Sequence, residues 1–202
     1  MLIRIFLVFI TFLIEVSKSE EEIIRTDPLY IIADLSKKGP EKYSVYKVYA
    51  FGIPAGEIYF SIKEGKIEAH GQTYKSLRFL YSYDFIYIDK EDYKALYEKE
   101  KDKERLYENQ EIYEKKPWLP IIALFFRGNI NDEKILNLDI KINYAPVLIK
   151  KEEDTQEKVF YFLPQSSKTK KIIVYIRKGE NLPYRIDIEG KTNISLERIT
   201  QQ

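Results

Sequence analysis

Residues 46–57, with the sequence YKVYAFGIPAGE, join two runs of apolar and aromatic residues that are typical of β-strands. Within this stretch, IPAG at residues 53–56 predicts a type I turn, because proline presets φ at the second turn position and glycine suits the fourth. A tight turn between two such runs favours an antiparallel hairpin. The same alternation of runs and turns continues along the chain, so the stretch indicates the class of the whole fold.

Short strand-like runs recur from Tyr43 onward, which favours an antiparallel all-β domain. Two segments have helical signals instead. Pro117 to Phe126 is apolar on nearly every side, a pattern typical of a buried helix, and residues 76–81 suit a single turn. We predict twelve strands, at residues 43–51, 57–63, 66–74, 83–89, 93–100, 104–114, 134–143, 145–151, 157–163, 170–178, 182–189 and 192–199.

Several strands are apolar on both faces. In residues 84–88, Phe85 and Tyr87 face one way while Ile86 and Ile88 face the other. A sheet with one wet face alternates apolar and polar residues, so both faces of this sheet need cover, and one helix near Trp118 is too short to provide it. We therefore predict a mainly β fold, a single curved antiparallel sheet or partial β-barrel with one short helix.

The first nineteen residues have the layout of a secretory signal peptide. Arg4 precedes an apolar run of ten residues, and Ser17 and Ser19 occupy the small-residue positions of a cleavage site. A run of ten residues is short for a membrane span, although an uncleaved anchor is the alternative. No later apolar run is long enough to span a bilayer, so we expect a periplasmic or extracellular protein. The predicted parts are a signal peptide at 1–19, a lead-in segment at 20–42 and a single β domain at 43–202.

The composition narrows the classes of partner. The chain has 33 basic and 32 acidic side chains, interleaved along its length, which argues against a nucleic-acid partner. There is no cysteine, so packing rather than disulfide bonds must stabilise an exported domain. Abundant Lys, Glu, Ile and Tyr resemble the composition of thermophile proteins, in which charge networks stabilise more as temperature rises.

Four blocks together resemble the exported bacterial domain-of-unknown-function family 3108. Their order and spacing carry the resemblance, which covers most of the chain after the signal peptide. It implies a fold and an exported location, but no activity. The densely charged residues 98–104 and the lead-in have no counterpart in that family. The blocks are YKVYAFGIPAGE at 46–57, LRFLYSYD at 77–84 with Ile88 and Asp89 after it, the apolar segment 119–127 ending in arginine, and LPYR at 182–185.

The residue types needed for most catalytic and metal chemistry are scarce. With His70 the only histidine and no cysteine, we predict no metal site and no cofactor. No serine stands in a nucleophile elbow and no glycine-rich loop suits phosphate. Two carboxylate pairs, Asp84 with Asp89 and Glu57 with Glu68, keep a carboxylate-based hydrolase as a third hypothesis, but we expect no enzyme.

The first hypothesis is a non-enzymatic envelope protein that binds an apolar or amphipathic, lipid-like ligand inside the curved sheet. Tyrosine suits such a lining because its ring is apolar and its hydroxyl meets a polar head group. Alternatively, the interior is filled by its own side chains, as protein interiors normally are. The second hypothesis is a structural module that binds another envelope protein through a sheet edge. The predicted ligand lining consists of Tyr49, Phe51, Phe85, Tyr87 and Trp118.

Overall fold

The computed structural model describes residues 42–63, 65–90, 92–128 and 131–201. These residues form one twelve-stranded antiparallel sheet that is open, with few helices. The predicted fold class, a mainly β protein built on a single antiparallel sheet, is confirmed. The predicted signal peptide at 1–19 and the lead-in at 20–42, apart from Lys42, lie outside the described residues.

The strands follow one another as two meanders that meet in the middle of the sheet. Strands β1 to β6 run outward from the centre to one edge, and β7 to β12 run inward from the other edge until β12 pairs with β1. The order across the sheet is therefore β6-β5-β4-β3-β2-β1-β12-β11-β10-β9-β8-β7. The bounds are β1 Lys42–Ala50, β2 Ile53–Lys63, β3 Lys66–Thr73, β4 Tyr83–Asp89, β5 Lys94–Glu100, β6 Lys103–Glu108, β7 Lys141–Ile142, β8 Ala145–Glu153, β9 Glu157–Pro164, β10 Lys171–Arg177, β11 Arg185–Glu189 and β12 Ile194–Gln201.

Three short helices connect β6 to β7 and so carry the chain from one edge of the sheet to the other. They are α1 (Gln110–Lys115), α2 (Trp118–Phe126) and α3 (Asp132–Leu136). A single 3-10 turn, Lys75–Leu77, lies between β3 and β4. Helix α2 follows Pro117 and ends before Gly128, as its sequence predicts; the φ angle of Gly128 is +70°, a left-handed conformation common after helix ends.

Two predicted strands are wrong in part. The strand expected at 104–114 stops at Glu108 and the chain continues as α1. The strand expected at 134–143 begins in the last turn of α3, continues without regular structure and contains only the two-residue β7. In α3 the Asn131 side chain accepts a hydrogen bond of 2.8 Å from the backbone N–H of Lys134. This N-cap satisfies a free donor of the first turn and so starts a helix where alternation favoured a strand.

The turn between β1 and β2 is displaced from its predicted place. Ala50 pairs with Ile53, which leaves a two-residue loop. The φ angles of the loop residues are +52° at Phe51 and +78° at Gly52, the pattern of a type I′ hairpin turn. The predicted type I turn at 53–56 is wrong, because those residues already belong to β2.

Gly56 is required for a different reason. The pairing of β1 with β2 shifts between Val48 and Tyr49, which marks a bulge at this point of β2. A Cβ atom on Gly56 would lie 2.1 Å from the carbonyl oxygen of Gln72 in β3. Glycine therefore allows the two backbones to approach closely.

Contacts of α2 show that the sheet is curved. Phe126 stacks on Phe60 of β2 with ring centroids 4.6 Å apart, and its neighbour Phe125 contacts Phe160 of β9 at 5.6 Å. Strands β2 and β9 are five positions apart, about 24 Å in a flat sheet. Adjacent side chains of one helix reach both strands only because the sheet wraps around α2. We call the wrapped side the concave face and the other the convex face.

The concave face is filled by the protein's own side chains. Tyr46, Phe60, Tyr87, Phe160 and Phe162 are fully buried there, and α2 is buried on all sides except at Leu124. The structure thus favours the filled interior over a large cavity inside the described sheet. Separately, no helix among the described residues has the length and apolar character needed to cross a bilayer.

Candidate functional site

The five predicted lining residues fall into two groups. Phe85, Tyr87 and Trp118 belong to the buried core, and the rings of Phe85 and Trp118 meet edge to face with centroids 5.7 Å apart. Tyr49 follows the core-facing Val48 and so lies on the convex face, while Phe51 is 74% exposed at its turn. The structure therefore brings three of the five together, and a role for them in ligand binding stays a prediction.

A polar cluster lies beside these aromatic residues, where the concave face ends. Its centre is Glu98 of β5, whose side chain is 1% exposed. The carboxylate accepts hydrogen bonds from the Tyr83 hydroxyl at 2.9 Å, from Arg105 Nη1 at 2.9 Å and from the Tyr107 hydroxyl at 3.3 Å, and it pairs with Lys116 Nζ at 3.2 Å. We call these five residues the mouth cluster.

Strand register and one helix junction assemble the mouth cluster. Glu98 is paired with Phe85 on one side and Arg105 on the other, so these side chains share the concave face. Lys116 arrives from the link between α1 and α2, and its Nζ lies 4.7 Å above the Tyr83 ring. Such a cation over a ring is attracted by the π electrons, which holds the link against the sheet.

The electrostatics of the mouth cluster favour an ionised Glu98. Burial is the largest influence and raises its pKa, but Lys116, Arg105 and the Tyr83 hydroxyl together more than offset it, so the pKa of Glu98 lies below its usual range. Burial, with the charge of Glu98, raises the pKa of Tyr83 well above its usual value. Tyr83 therefore stays a hydrogen-bond donor, and Arg105 also pairs with Glu100 at 3.3 Å.

A second buried carboxylate anchors the other end of α2. Asp89 is 1% exposed, accepts a hydrogen bond of 3.0 Å from the Tyr87 hydroxyl and pairs with Lys94 at 3.4 Å and with Arg127. Arg127 directly follows α2, just as Lys116 shortly precedes it. The two buried carboxylates thus tie both ends of the apolar helix to the sheet.

The carboxylate pairs considered for hydrolysis do not converge. Asp84 lies on the convex face, 2.9 Å from Arg78, whereas Asp89 lies on the concave face. Glu57 is paired with Gln72, four residues along β3 from Glu68, a separation of about 13 Å. Glycosidase carboxylates face one site roughly 5–9.5 Å apart, so the first pair fails because its members lie on opposite faces and the second because it is too far apart.

His70 has a local role on the convex face. Its Nε2 lies 3.7 Å from a carboxylate oxygen of Glu68, and this close contact with His70, together with Lys66, lowers the pKa of Glu68 to about 2. Among the described residues, no three histidine, aspartate or glutamate side chains gather as metal ligands do.

A cleft of about 480 Å³ lies between α3 and the strands β9 and β10. Three of its charged lining residues are already paired: Asp132 lies 2.7 Å from Lys151 and 3.2 Å from Lys158, and Glu180 pairs with Arg198. These three lining residues therefore have partners within the protein and need no ligand.

Among the described residues, six of the eleven large apolar side chains that are exposed lie at one end of the sheet. They belong to the β1–β2, β3–β4 and β7–β8 connections and the start of β2. Tyr81 joins this end to the mouth cluster, because its ring stacks on Tyr83 at 6.2 Å. Sequence reasoning missed this surface, although FLY at 79–81 between two strands was the available signal. We call it the apolar rim; it consists of Phe51, Ile53, Phe79, Leu80, Tyr81 and Tyr144, which are 74%, 61%, 81%, 65%, 48% and 98% exposed.

Comparison with known proteins finds a relative that covers most of the chain. No family model matches the chain. An uncharacterized protein of Aquifex aeolicus strain VF5 is 35% identical over 154 residues, which cover 75% of this chain and 81% of that protein.

Two solved structures are less similar to this chain. A Vibrio parahaemolyticus domain provisionally named as an outer membrane lipoprotein-sorting protein gives a TM-score of 0.38 at 10% identity, over 85% of this chain and 90% of that one. A DUF1329 family protein from Desulfovibrio piger gives a TM-score of 0.25 at 15% identity, over 87% of this chain and 93% of that one. Likeness at this level says nothing about what this chain binds.

Proposed function

The chain belongs to the same family as the uncharacterized Aquifex aeolicus protein, and from that premise we propose that it is a non-enzymatic envelope protein that binds an amphipathic, lipid-like molecule at the mouth of its concave face. The relative's name carries no activity, so the support comes from side chains. One observation carries the proposal: a path of aromatic rings leads from solvent to the core alongside the mouth cluster.

The aromatic path is continuous. Tyr81 stacks on Tyr83 at 6.2 Å, Tyr83 meets Phe85 at 5.8 Å, and Phe85 meets Trp118 at 5.7 Å. Tyr81 is 48% exposed and Trp118 is 9% exposed, so the path crosses from water into the core. Because the interior is filled, we place the apolar part of the ligand along this path, with Tyr87 in the wall behind it.

The polar part of the ligand has donors within reach. The side chains of Arg105 and Lys116 are 38% and 29% exposed, while buried Glu98 holds both in place. Cationic N–H groups form the stronger hydrogen bonds with carboxylate or phosphate oxygens. An anionic head group beside an apolar tail matches this pairing of donors and rings.

The alternative, binding of another envelope protein through a sheet edge, has less support. Edge strand β6 carries Lys103, Glu104, Arg105 and Glu108, and charged side chains on an edge discourage the addition of a further strand. This alternative becomes the better one if the ligand test fails.

The ligand proposal is tested with a fluorescent fatty-acid probe and no vesicles present. We expect the parent to bind the probe and Lys116→Gln to bind about tenfold more weakly, a loss of about 1.4 kcal/mol. The matched control is Lys115→Gln, one residue earlier and exposed, which should bind as the parent does. Circular dichroism melts check that both variants fold.

Absence of probe binding by the parent, or equal binding by the two lysine variants, would contradict the proposal. Native mass spectrometry of protein purified from a cell envelope gives a second readout that needs no variant. A lipid-sized mass retained by the folded protein is the expected result.

Two finer points belong to the same proposal. Membership of the domain-of-unknown-function family 3108 rests on the four sequence blocks, and the periplasmic or extracellular location rests on the pattern in residues 1–19. N-terminal sequencing of the exported protein should begin at or near Glu20, and an intact Met1 on membrane-bound material would refute cleavage.

A further inference from the structure

We propose that the apolar rim docks this protein onto the surface of an anionic phospholipid bilayer. This goes beyond the ligand at the mouth, because docking needs no bound ligand and involves the β1–β2 and β7–β8 turns as well as the β3–β4 connection beside the mouth cluster.

The connections that form the apolar rim all lie at one end of the sheet. The β1–β2 turn is tied to its neighbours there: the backbone N–H of Phe51 donates to the carbonyl of Asn193 at 3.3 Å, and that of Tyr74 donates to Ala55 at 3.0 Å. Antiparallel register places the β7–β8 turn, with Tyr144 at its tip, at the same end. Apolar tips from separate parts of the chain therefore meet at one boundary of the molecule.

The backbone at two of these tips is unfavourable for the residue it carries. The φ angle is +52° at Phe51 and +64° at Tyr144, a left-handed conformation that glycine or asparagine adopts at lower cost. Both side chains are largely exposed, so neither gains from packing. Large aromatic groups held at such positions, without benefit to the fold, point to a binding role.

Charge at the rim complements an anionic surface. The six connections at the rim end of the sheet, which are the three that form the rim together with β5–β6, β9–β10 and β11–β12, have six basic residues and one acidic residue, Asp102, although Arg78 is paired with Asp84. The described connections at the opposite end carry Asp92, Asp154 and Glu180 against Lys90 and Lys178. The whole chain has a net charge of only +1. The basic character of the rim therefore reflects where the charged residues lie and not an excess of basic residues in the chain. The six basic residues are Lys75, Arg78, Lys101, Lys168, Lys170 and Lys191.

The spacing of the tips favours a bilayer over a protein or a small molecule. The β1–β2 and β7–β8 turns are separated by six strand positions, about 29 Å measured along the curved sheet and less in a straight line. The tips are separate protrusions, and a fluid interface accepts separate aromatic and apolar side chains between basic ones. Basic residues near such a surface add attraction that falls with salt.

Labelling at single positions tests the proposal in the full chain. Since the sequence has no cysteine, L80C and L106C can each carry one environment-sensitive fluorophore. Leu80 is on the rim and 65% exposed, whereas Leu106 is 60% exposed on β6, away from the rim. Vesicles of phosphatidylcholine with about one-third phosphatidylglycerol should shift the emission at position 80 to the blue and leave position 106 unchanged.

Charge reversal tests the electrostatic part. In the L80C background, Lys168→Glu with Lys170→Glu should lower the affinity for anionic vesicles about tenfold. The matched pair Lys90→Glu with Lys178→Glu, at the opposite end, should change it less than twofold.

Three outcomes would overturn docking by the rim: no shift at position 80, an equal shift at position 106, or the same affinity for pure phosphatidylcholine vesicles. A shift at position 80 that grows with protein concentration in the absence of vesicles would identify a second copy of the chain as the partner instead. Loss of fatty-acid probe binding in Lys116→Gln, with vesicle binding intact, would separate docking from the ligand proposal.

Discussion

Phe60 and Phe79 are the same residue type in one chain, yet Phe60 is fully buried and Phe79 is 81% exposed. Phe60 stacks on Phe126 between the sheet and α2, whereas Phe79 lies on the apolar rim. The concave face therefore holds the fold together, and the rim is apolar surface that the fold does not use. Substitutions in the two regions should differ in their effect on stability by several kcal/mol, because only buried apolar area stabilises.

Tyr87→Ala should have the largest effect. Tyr87 is fully buried on the concave face and donates a hydrogen bond to Asp89, so we expect a loss of about 3–5 kcal/mol in the free energy of unfolding. Ile86→Ala, on the half-buried convex side, should cost clearly less. Urea denaturation of both variants checks the order, and a smaller loss for Tyr87→Ala would mean that the concave face is open.

Gly56→Val should come next. The added side chain would collide with the backbone of β3, and overpacking of this kind costs about 2–3 kcal/mol. Pro54→Ala, two residues earlier and exposed, should cost about 0.4–1 kcal/mol through added freedom of the unfolded chain. Thermal melts that rank the two variants the other way would refute the role given to Gly56.

Glu98→Gln should remove about 1.5–3 kcal/mol, because it leaves the donors around a buried carboxylate with a weaker acceptor. The pKa of Glu98 is lower in the folded than in the unfolded protein. Its contribution is therefore fully present above the unfolded pKa of about 4.3 and is lost as pH falls through the folded value.

Denaturant titrations between about pH 6 and 3 should accordingly show a shallower fall of stability in Glu98→Gln than in the parent. Glu104→Gln, whose exposed carboxylate pairs with Lys99, should change the profile little because solvent screens that pair. Parallel profiles for the parent and Glu98→Gln would show that folding does not lower the pKa of Glu98.

The double change Phe79→Ser with Leu80→Ser should have the smallest effect on stability, within about 0.5 kcal/mol, because both side chains are exposed. Vesicle binding by the same variant should fall sharply. A loss of several kcal/mol in thermal or urea unfolding would show that the rim packs against other parts of the chain.

Local patterns were sufficient for much of the fold. Runs of β-branched and aromatic residues gave strands close to the observed ones, and the apolar segment after Pro117 gave α2. The predicted position of the first turn was wrong. The proline and glycine of residues 53–56 indicated a turn there, whereas the structure has the turn at Phe51 and Gly52. Proline is accepted at the start of β2 beside a bulge, which a turn pattern does not reveal.

The candidate site depended more on pairing between strands. Alternation along the sequence shows that Phe85 and Tyr87 share a face, and the structure places both in the core with Trp118. The alternation does not show whether Tyr49 lies on the same face as Phe85 and Tyr87. Hairpin lengths and bulges decide how the faces of distant strands correspond.

The sequence by itself determined the strand-rich architecture, the buried helix and the absence of cysteine, because these depend on residue type and short-range period. Only the tertiary structure decided that Lys116 reaches Glu98, that rings from the rim to Trp118 form one path, and that apolar tips from three connections lie at one end. The physical reason is that these groupings are set by cross-strand register and by sheet curvature, which join residues that the sequence keeps far apart.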